Sequence, residues 1–278
     1  MRTYEIVPGF FVQDDCDPAT LPAIPPRFGL RDNSDQRWAT LIDHLKSLNE
    51  SAHPGTSYIL FFLGRHGQGY HNVGYEKYGM NAWDEYWSKL NTDGEIRWGP
   101  DAELTQLGLD QARGARDAWR AERAFGIPLP DRMYCSPLTR ALRTHEITFG
   151  DAIPARKTLV LEMCREENGV HTCDKRRTRT YIHEMFPLYE IEQGLTEEDE
   201  LWSPDVREST NELVVRARRV LDTVFGDAEK EGPGVVAITA HAGFIRAFMR
   251  ALGRVTGDLH TGGVLPVVVK SSTVRALN

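Results

Sequence analysis

The sequence predicts an α/β fold in which helices flank a mostly parallel sheet, and three observations lead there. Short apolar runs of strand-forming residues, at 58–63, 133–135, 157–161 and 234–240, alternate with stretches whose apolar residues recur every three or four positions. Several of these runs end in a polar, chemistry-bearing group, and open α/β sheets carry their chemistry at strand C-termini. A chain of 278 residues with 41% hydrophobic content can bury a substantial core, read here as one domain (1–278) with insertions.

Residues 1–33 contain Pro18, Pro22, Pro25 and Pro26, which disfavour helix, so this part is expected to be an N-terminal arm lying over the domain. Trp38, Leu41, Ile42, Leu45 and Leu48 then form a helical apolar face, capped by Ser34 or Asp35 and closed before Pro54. Tyr58 to Leu63 reads as a buried strand delivering Arg65 and His66 to its tip. Trp83, Tyr86, Trp87 and Leu90 predict a short amphipathic helix over 82–90. Thr105 is the natural N-cap of a helix running to about Phe125.

Met133-Tyr134-Cys135 is a short buried strand, followed by a helix to about Phe149 with Pro137 in its first turn and Arg140 close behind. A strand over 157–161 leads into 162–201, a polar, irregular insertion expected to cover a pocket. A helix over 211–225, a strand ending before His241-Ala242-Gly243 and a helix over 244–252 complete the alternation. Val264 to Lys270 is a final strand, expected at the sheet edge because Pro266 cannot donate to a ladder.

The formal charge of −7 argues against a general nucleic-acid or anionic-membrane binder. No apolar run approaches the roughly 18 residues of a membrane span. Cys16, Cys135, Cys164 and Cys173 lack paired spacing and the N-terminus lacks an apolar signal core, so a reduced, cytoplasmic setting is expected.

The stretch Arg65-His66-Gly67-Gln68-Gly69-Tyr70-His71-Asn72 carries the densest chemistry. Gly67 and Gly69 let backbone N–H groups approach an anion, and the Arg65 fork suits phosphate. With Leu104-Thr105, Gly108, Gln111-Ala112, then Ser136-Pro137-Leu138, Arg140-Ala141, Thr144 and the late His241, the chain resembles the histidine phosphatase (phosphoglycerate-mutase-like) superfamily over about residues 57–270, in its fungal phosphomutase-like branch. The resemblance implies a three-layer α/β/α sandwich. It implies His66 as a nucleophile that becomes phosphorylated, with Arg65, Asn72, Arg140, His241 and Ala242 around the phosphoryl group. It calls for no cofactor and no metal, and for a small phosphorylated substrate. Cationic neighbours are expected to keep His66 neutral.

A general acid is expected after the strand at 157–161, among Glu162, Glu166 and Glu167, with Glu166 favoured by the match to the family. His71 is expected at the pocket rim, and Gly69 stands where many relatives have a hydroxyl residue. His171, Cys173 and Asp174 form one cluster without a second ligand pair, which fits an ordinary loop better than a zinc site. Lys175-Arg176-Arg177 and Arg179 suit either a solvated face or a basic rim. Tyr70, Tyr75, Tyr78, Trp83, Tyr86, Trp87 and Trp98 suit a partly apolar leaving group or the core. A phosphatase is therefore expected. The alternatives are a phosphoglycerate-type mutase, disfavoured by Arg165-Glu166-Glu167-Asn168-Gly169, and a fold relative using the pocket for binding or non-phosphoryl chemistry. Oligomeric state is not legible.

Overall fold

The structure is a computed structural model that describes residues 2–150 and 158–273. Its elements in chain order are β1 (Arg2–Ile6), α1 (Arg37–Glu50), β2 (Thr56–Arg65), α2 (Tyr70–Glu85), α3 (Gln106–Arg123), β3 (Arg132–Cys135) and α4 (Thr139–Phe149). They continue as β4 (Thr158–Val160), α5 (Arg179–Met185), β5 (Glu190–Ile191), α6 (Thr210–Glu231), β6 (Val235–Ala240), α7 (Ala242–Ala251) and β7 (Val264–Thr273), with short 3-10 turns between. The seven strands form one sheet in the order β1-β7-β2-β6-β3-β4-β5, and β7 alone runs against the rest. Among the described residues no helix is long and apolar enough to cross a membrane.

Strand alternation divides β2 between two cores. Ile59, Phe61 and Leu63 pack with residues of α6 and α7, such as Val220, Phe225 and Phe248. Leu60 and Phe62 face the opposite layer, with Trp38 of α1, Trp119 of α3 and Phe28 of the N-terminal segment. Each such side chain, fully withdrawn from water, contributes roughly 1.5–3 kcal/mol. Burial on both faces is why β2 reads as an unbroken apolar run.

Several local expectations are corrected. The N-terminal arm opens with a strand: β1 pairs with β7 and supplies one sheet edge, while Phe11, Phe28 and Leu30 bury against the body. The final strand is consequently not the outermost one. Pro266 is accommodated because the even-numbered residues of β7 turn their backbone groups away from β2. Val7 N–H reaches the Val268 carbonyl and Val264 N–H reaches Ala23, and Pro266 lies between these two, beyond the end of β1. The local physics of the proline holds while its topological consequence does not.

The helix expected over 82–90 begins earlier, at Tyr70, and ends at Glu85 before a separate turn at Trp87–Lys89. Of its aromatic stripe Trp83 is buried, whereas Tyr86 is exposed. Neither Ser34 nor Asp35 caps α1, which starts after Gln36, and Pro137 sits two residues ahead of α4 rather than inside it. Thr105 does cap α3, its hydroxyl accepting the Gly108 N–H. Lys157, at the start of the expected strand over 157–161, lies outside the described residues.

The segment 162–201 divides in two. Residues 166–174 run along the cleft described below, whereas β5 extends the sheet edge beside β4 and α5 packs there through Ile182. Arg165 and Arg176 point inward: Arg165 binds Glu162 and Asp199, and Arg176 binds Glu162 and carbonyls of 196–198. Arg176 thus belongs to neither a solvated face nor a basic rim. It pins the loop from within.

Candidate active site

The sheet register brings three strand ends level. Arg65 pairs with Ala240, and Cys135 with Thr239, so His66, His241 and Ser136 each follow a strand at the same height. The His66 N–H continues the ladder to Ala240, and the Ser136 N–H to Thr239.

The loop after β2 is clamped by α3. A Cβ on Gly67 would lie 2.2 Å from the Gly108 carbonyl oxygen, and one on Gly108 would lie 2.1 Å from the Gln68 carbonyl oxygen. Only two glycines permit this approach. Thr105 N–H donates to the Gln68 carbonyl, and the Gln111 side chain accepts the Gln68 N–H while donating to Thr261. The Thr144 hydroxyl accepts the Gly67 N–H at 3.0 Å and donates to the Arg140 carbonyl. Thr105, Gly108, Gln111 and Thr144 therefore set where His66 stands, a larger role than helix capping.

His66 is 2% exposed. Its Nδ1 lies 2.6 Å from the Gly67 carbonyl oxygen, which can only accept, so Nδ1 carries the proton and Nε2 keeps its lone pair. Arg140 Nε approaches that Nε2 at 3.4 Å. Burial first, then Arg140 and Arg65, lowers the His66 pKa well below the ordinary imidazole value. The expected cationic neighbours are present, but desolvation is the larger cause. The product is a neutral imidazole able to attack an electrophile.

Arg140 is itself buried, donating to the Cys173 carbonyl at 2.6 Å and to Asp174 at 2.8 Å. Arg65 donates one N–H to the Leu259 carbonyl, and its Nε has no partner. The His241 ring lies 5.0 Å from that of His66 and its Nε2 is 2.7 Å from the Ser136 hydroxyl, with Nδ1 unpartnered. Asn72 lines the same cleft, with its side-chain oxygen accepting the Gly69 N–H at 2.9 Å, and Ala242 lines it at the start of α7. The cleft encloses about 350 Å³.

The three candidate acids separate clearly. Glu162 points into the insertion, bound to Arg165 and Arg176. Glu166 lines the cleft and accepts the Gly243 N–H at 3.0 Å, next to Ala242. Glu167 also lines it, 3.5 Å from Arg207 and 3.8 Å from Arg246, with burial and Glu166 raising its carboxyl pKa against those two arginines. His71 lines the cleft half-buried, its ring 5.2 Å from that of His66 and its Nδ1 in the space a Cβ on Gly69 would need.

Sequence reasoning missed Arg207, Arg246 and Asp258 and gave no role in the site to Asp174 or Ser136. Ser136 stood inside a recognised motif, but Arg207 comes from an irregular stretch with no local pattern. Asp174 joins Arg140 to Arg207, accepting from each at 2.8 and 2.9 Å. Burial pushes its carboxyl up, but Arg207 and Arg140 outweigh this and bring it down to about 2. His171, Cys173 and Asp174 do come together, with ligand atoms within 4.8 Å, yet two guanidinium groups already occupy the Asp174 carboxylate. That charge works against a metal ion there.

Residues 61–262 match the sequence profile of the histidine phosphatase superfamily (branch 1). The chain is 42% identical over 289 residues to "Probable phosphoglycerate mutase" of Arthroderma benhamiae, a match covering 98% of this chain and 85% of that protein. It is 34% identical over 261 residues to "Phosphomutase-like protein 3" of Candida albicans, covering 94% and 78%. A solved phosphoglycerate mutase from Bacillus anthracis is similar with a TM-score of 0.50 at 14% identity, over 77% of this chain and 89% of that one, a likeness of fold alone.

Proposed function

The chain belongs to the histidine phosphatase superfamily, and on that premise we propose that it is a metal-independent phosphomonoesterase acting through a phosphohistidine at His66. The observation that carries this reading is the neutral His66 with its Nε2 lone pair beside Arg140 and its ring 5.0 Å from that of His241. Nε2 attacks phosphorus and the P–O bond to the alcohol breaks. Arg65 and Arg140 hold the phosphoryl oxygens, supported by His241, Asn72 and the backbone at Ala242. Glu166 acts as general acid and gives a proton to the leaving oxygen. Water then attacks the phosphohistidine, returns a proton to Glu166 and releases inorganic phosphate.

A mutase is the second reading, favoured by the name of the 42% identical relative. It shares the first half-reaction but must return the phosphoryl group to its acceptor.

The test is a screen of phosphomonoesters in excess chelator, with inorganic phosphate as readout. Wild-type protein is expected to release phosphate and, after quenching in base with labelled substrate, to retain acid-labile label; His66→Ala should do neither. Isomerisation of a phosphoglycerate without phosphate release would favour the mutase, and full activity of His66→Ala would overturn the mechanism.

A further inference from the structure

Four arginines and five carboxylates line the cleft, and their pairing decides what can enter with the phosphate. Arg140 and Arg207 share Asp174. Arg207 is also held by the carbonyls of Glu167 and Gly169, and Arg246 is bound to Asp258 and lies 3.8 Å from Glu167. Among the described arginines of the cleft only Arg65 makes no ion pair, and it adjoins His66, where the phosphoryl group itself needs it. Asp84 stands half-exposed at the mouth, its carboxylate 3.5 Å from the His171 ring. The rest of that wall is Tyr75, Met80 and Trp83, with Met80 61% exposed.

A second anionic group on the substrate would meet guanidinium groups already neutralised, and would sit against Asp84, Glu167 or Asp258. Like charges brought together in a cleft repel and weaken binding. An apolar or cationic group would meet aromatic and thioether surface with a carboxylate at its edge. We propose that the cleft selects phosphomonoesters whose alcohol bears no second anionic group and presents an apolar or cationic body to Tyr75, Met80, Trp83 and Asp84. This deepens the phosphatase assignment and rests on it.

The test compares three esters with nearly equal leaving groups: 4-ethylphenyl, 4-(carboxymethyl)phenyl and 4-(2-aminoethyl)phenyl phosphate. The carboxymethyl ester is expected to have a kcat/KM at least about tenfold below the ethyl ester, mostly through KM, with the aminoethyl ester equal or better. Asp258→Asn, which releases Arg246, should narrow that gap by about two- to fivefold. Equal or faster turnover of the carboxymethyl ester overturns the proposal while leaving the phosphatase assignment intact. If no ester is hydrolysed, the phosphatase assignment fails instead. Calorimetric dissociation constants of the three esters with His66→Ala protein then still decide selectivity, weaker binding of the carboxymethyl ester supporting it and equal or tighter binding refuting it.

Discussion

Glu166 holds the Gly243 N–H with one carboxylate oxygen and its own neighbour's N–H with the other, so its position is set by backbone rather than by a flexible partner. As the proposed proton donor, Glu166 should matter in proportion to the basicity of the leaving group. Glu166→Gln is expected to slow alkyl phosphate hydrolysis by about 10²–10⁴-fold, yet 4-nitrophenyl phosphate hydrolysis far less, when kcat is measured for both. If Glu167→Gln shows that signature and Glu166→Gln does not, the proton comes from Glu167, whose raised pKa would then be its qualification. The neutrality of His66 was foreseeable in kind from Arg65 and Arg140. That burial outweighs both could be learned only from the fold.

At the scale of elements, β2 and α3 meet through Gly67 and Gly108, and this contact sets the height of His66. Gly108→Ala places a methyl 2.1 Å from the Gln68 carbonyl oxygen, so the loop or the helix must shift. A displacement of about 1 Å at His66, the proposed nucleophile, is expected to reduce kcat about 10²-fold, with only about 1–3 kcal/mol lost from stability in urea titration. Gly114, in the same helix, has no heavy atom within 4 Å of an added Cβ, so Gly114→Ala should stabilise by roughly 0.4–1 kcal/mol and leave kcat unchanged. Equal kinetic losses in both variants would refute the clamp. The insertion is an element of a different kind. Arg165 and Arg176 hold it together through Glu162 and Asp199, and its apolar residues such as Ile182 and Phe186 bury against Cys135 and Val160 of the sheet. An excised 162–201 fragment is expected to show no cooperative thermal transition by circular dichroism; a sharp one would show that the segment folds without the sheet.

Across the whole molecule, folding buries His66, His145 and His241 in neutral form and withdraws His71 in part. Desolvation is the largest cause of depression for His66, His71, His145 and His241, and brings His145 to about 3. The sign follows from proton counting: below the unfolded value of about 6.5 the unfolded chain binds protons that the folded chain does not. Their contribution is therefore full above that value and is lost as pH falls toward the depressed folded values, by up to about 1.4 kcal/mol per histidine per pH unit. Asp101 opposes part of this, since burial pushes its carboxyl up to about 6. Urea unfolding at pH 8 and pH 5.5 is expected to give a free energy several kcal/mol lower at pH 5.5. A flat profile would show that these rings are hydrated or paired in solution.

The alternation of apolar runs and helical faces was enough to determine the layered α/β fold, because a strand buried on both sides must be apolar throughout. The Arg-His-Gly loop and the positions of Arg140 and His241 were legible for a related reason, since chemistry at strand tips interrupts those runs with polar residues. Pro266 shows the limit: its missing N–H is a local fact, but β1 lies some 260 residues away in sequence, and only strand pairing places it outside β7. Arg207, Arg246, Asp174 and Asp258 show the same limit at the site. Their effect depends on which charge faces which, and that is decided by long-range packing that no local pattern in the chain encodes.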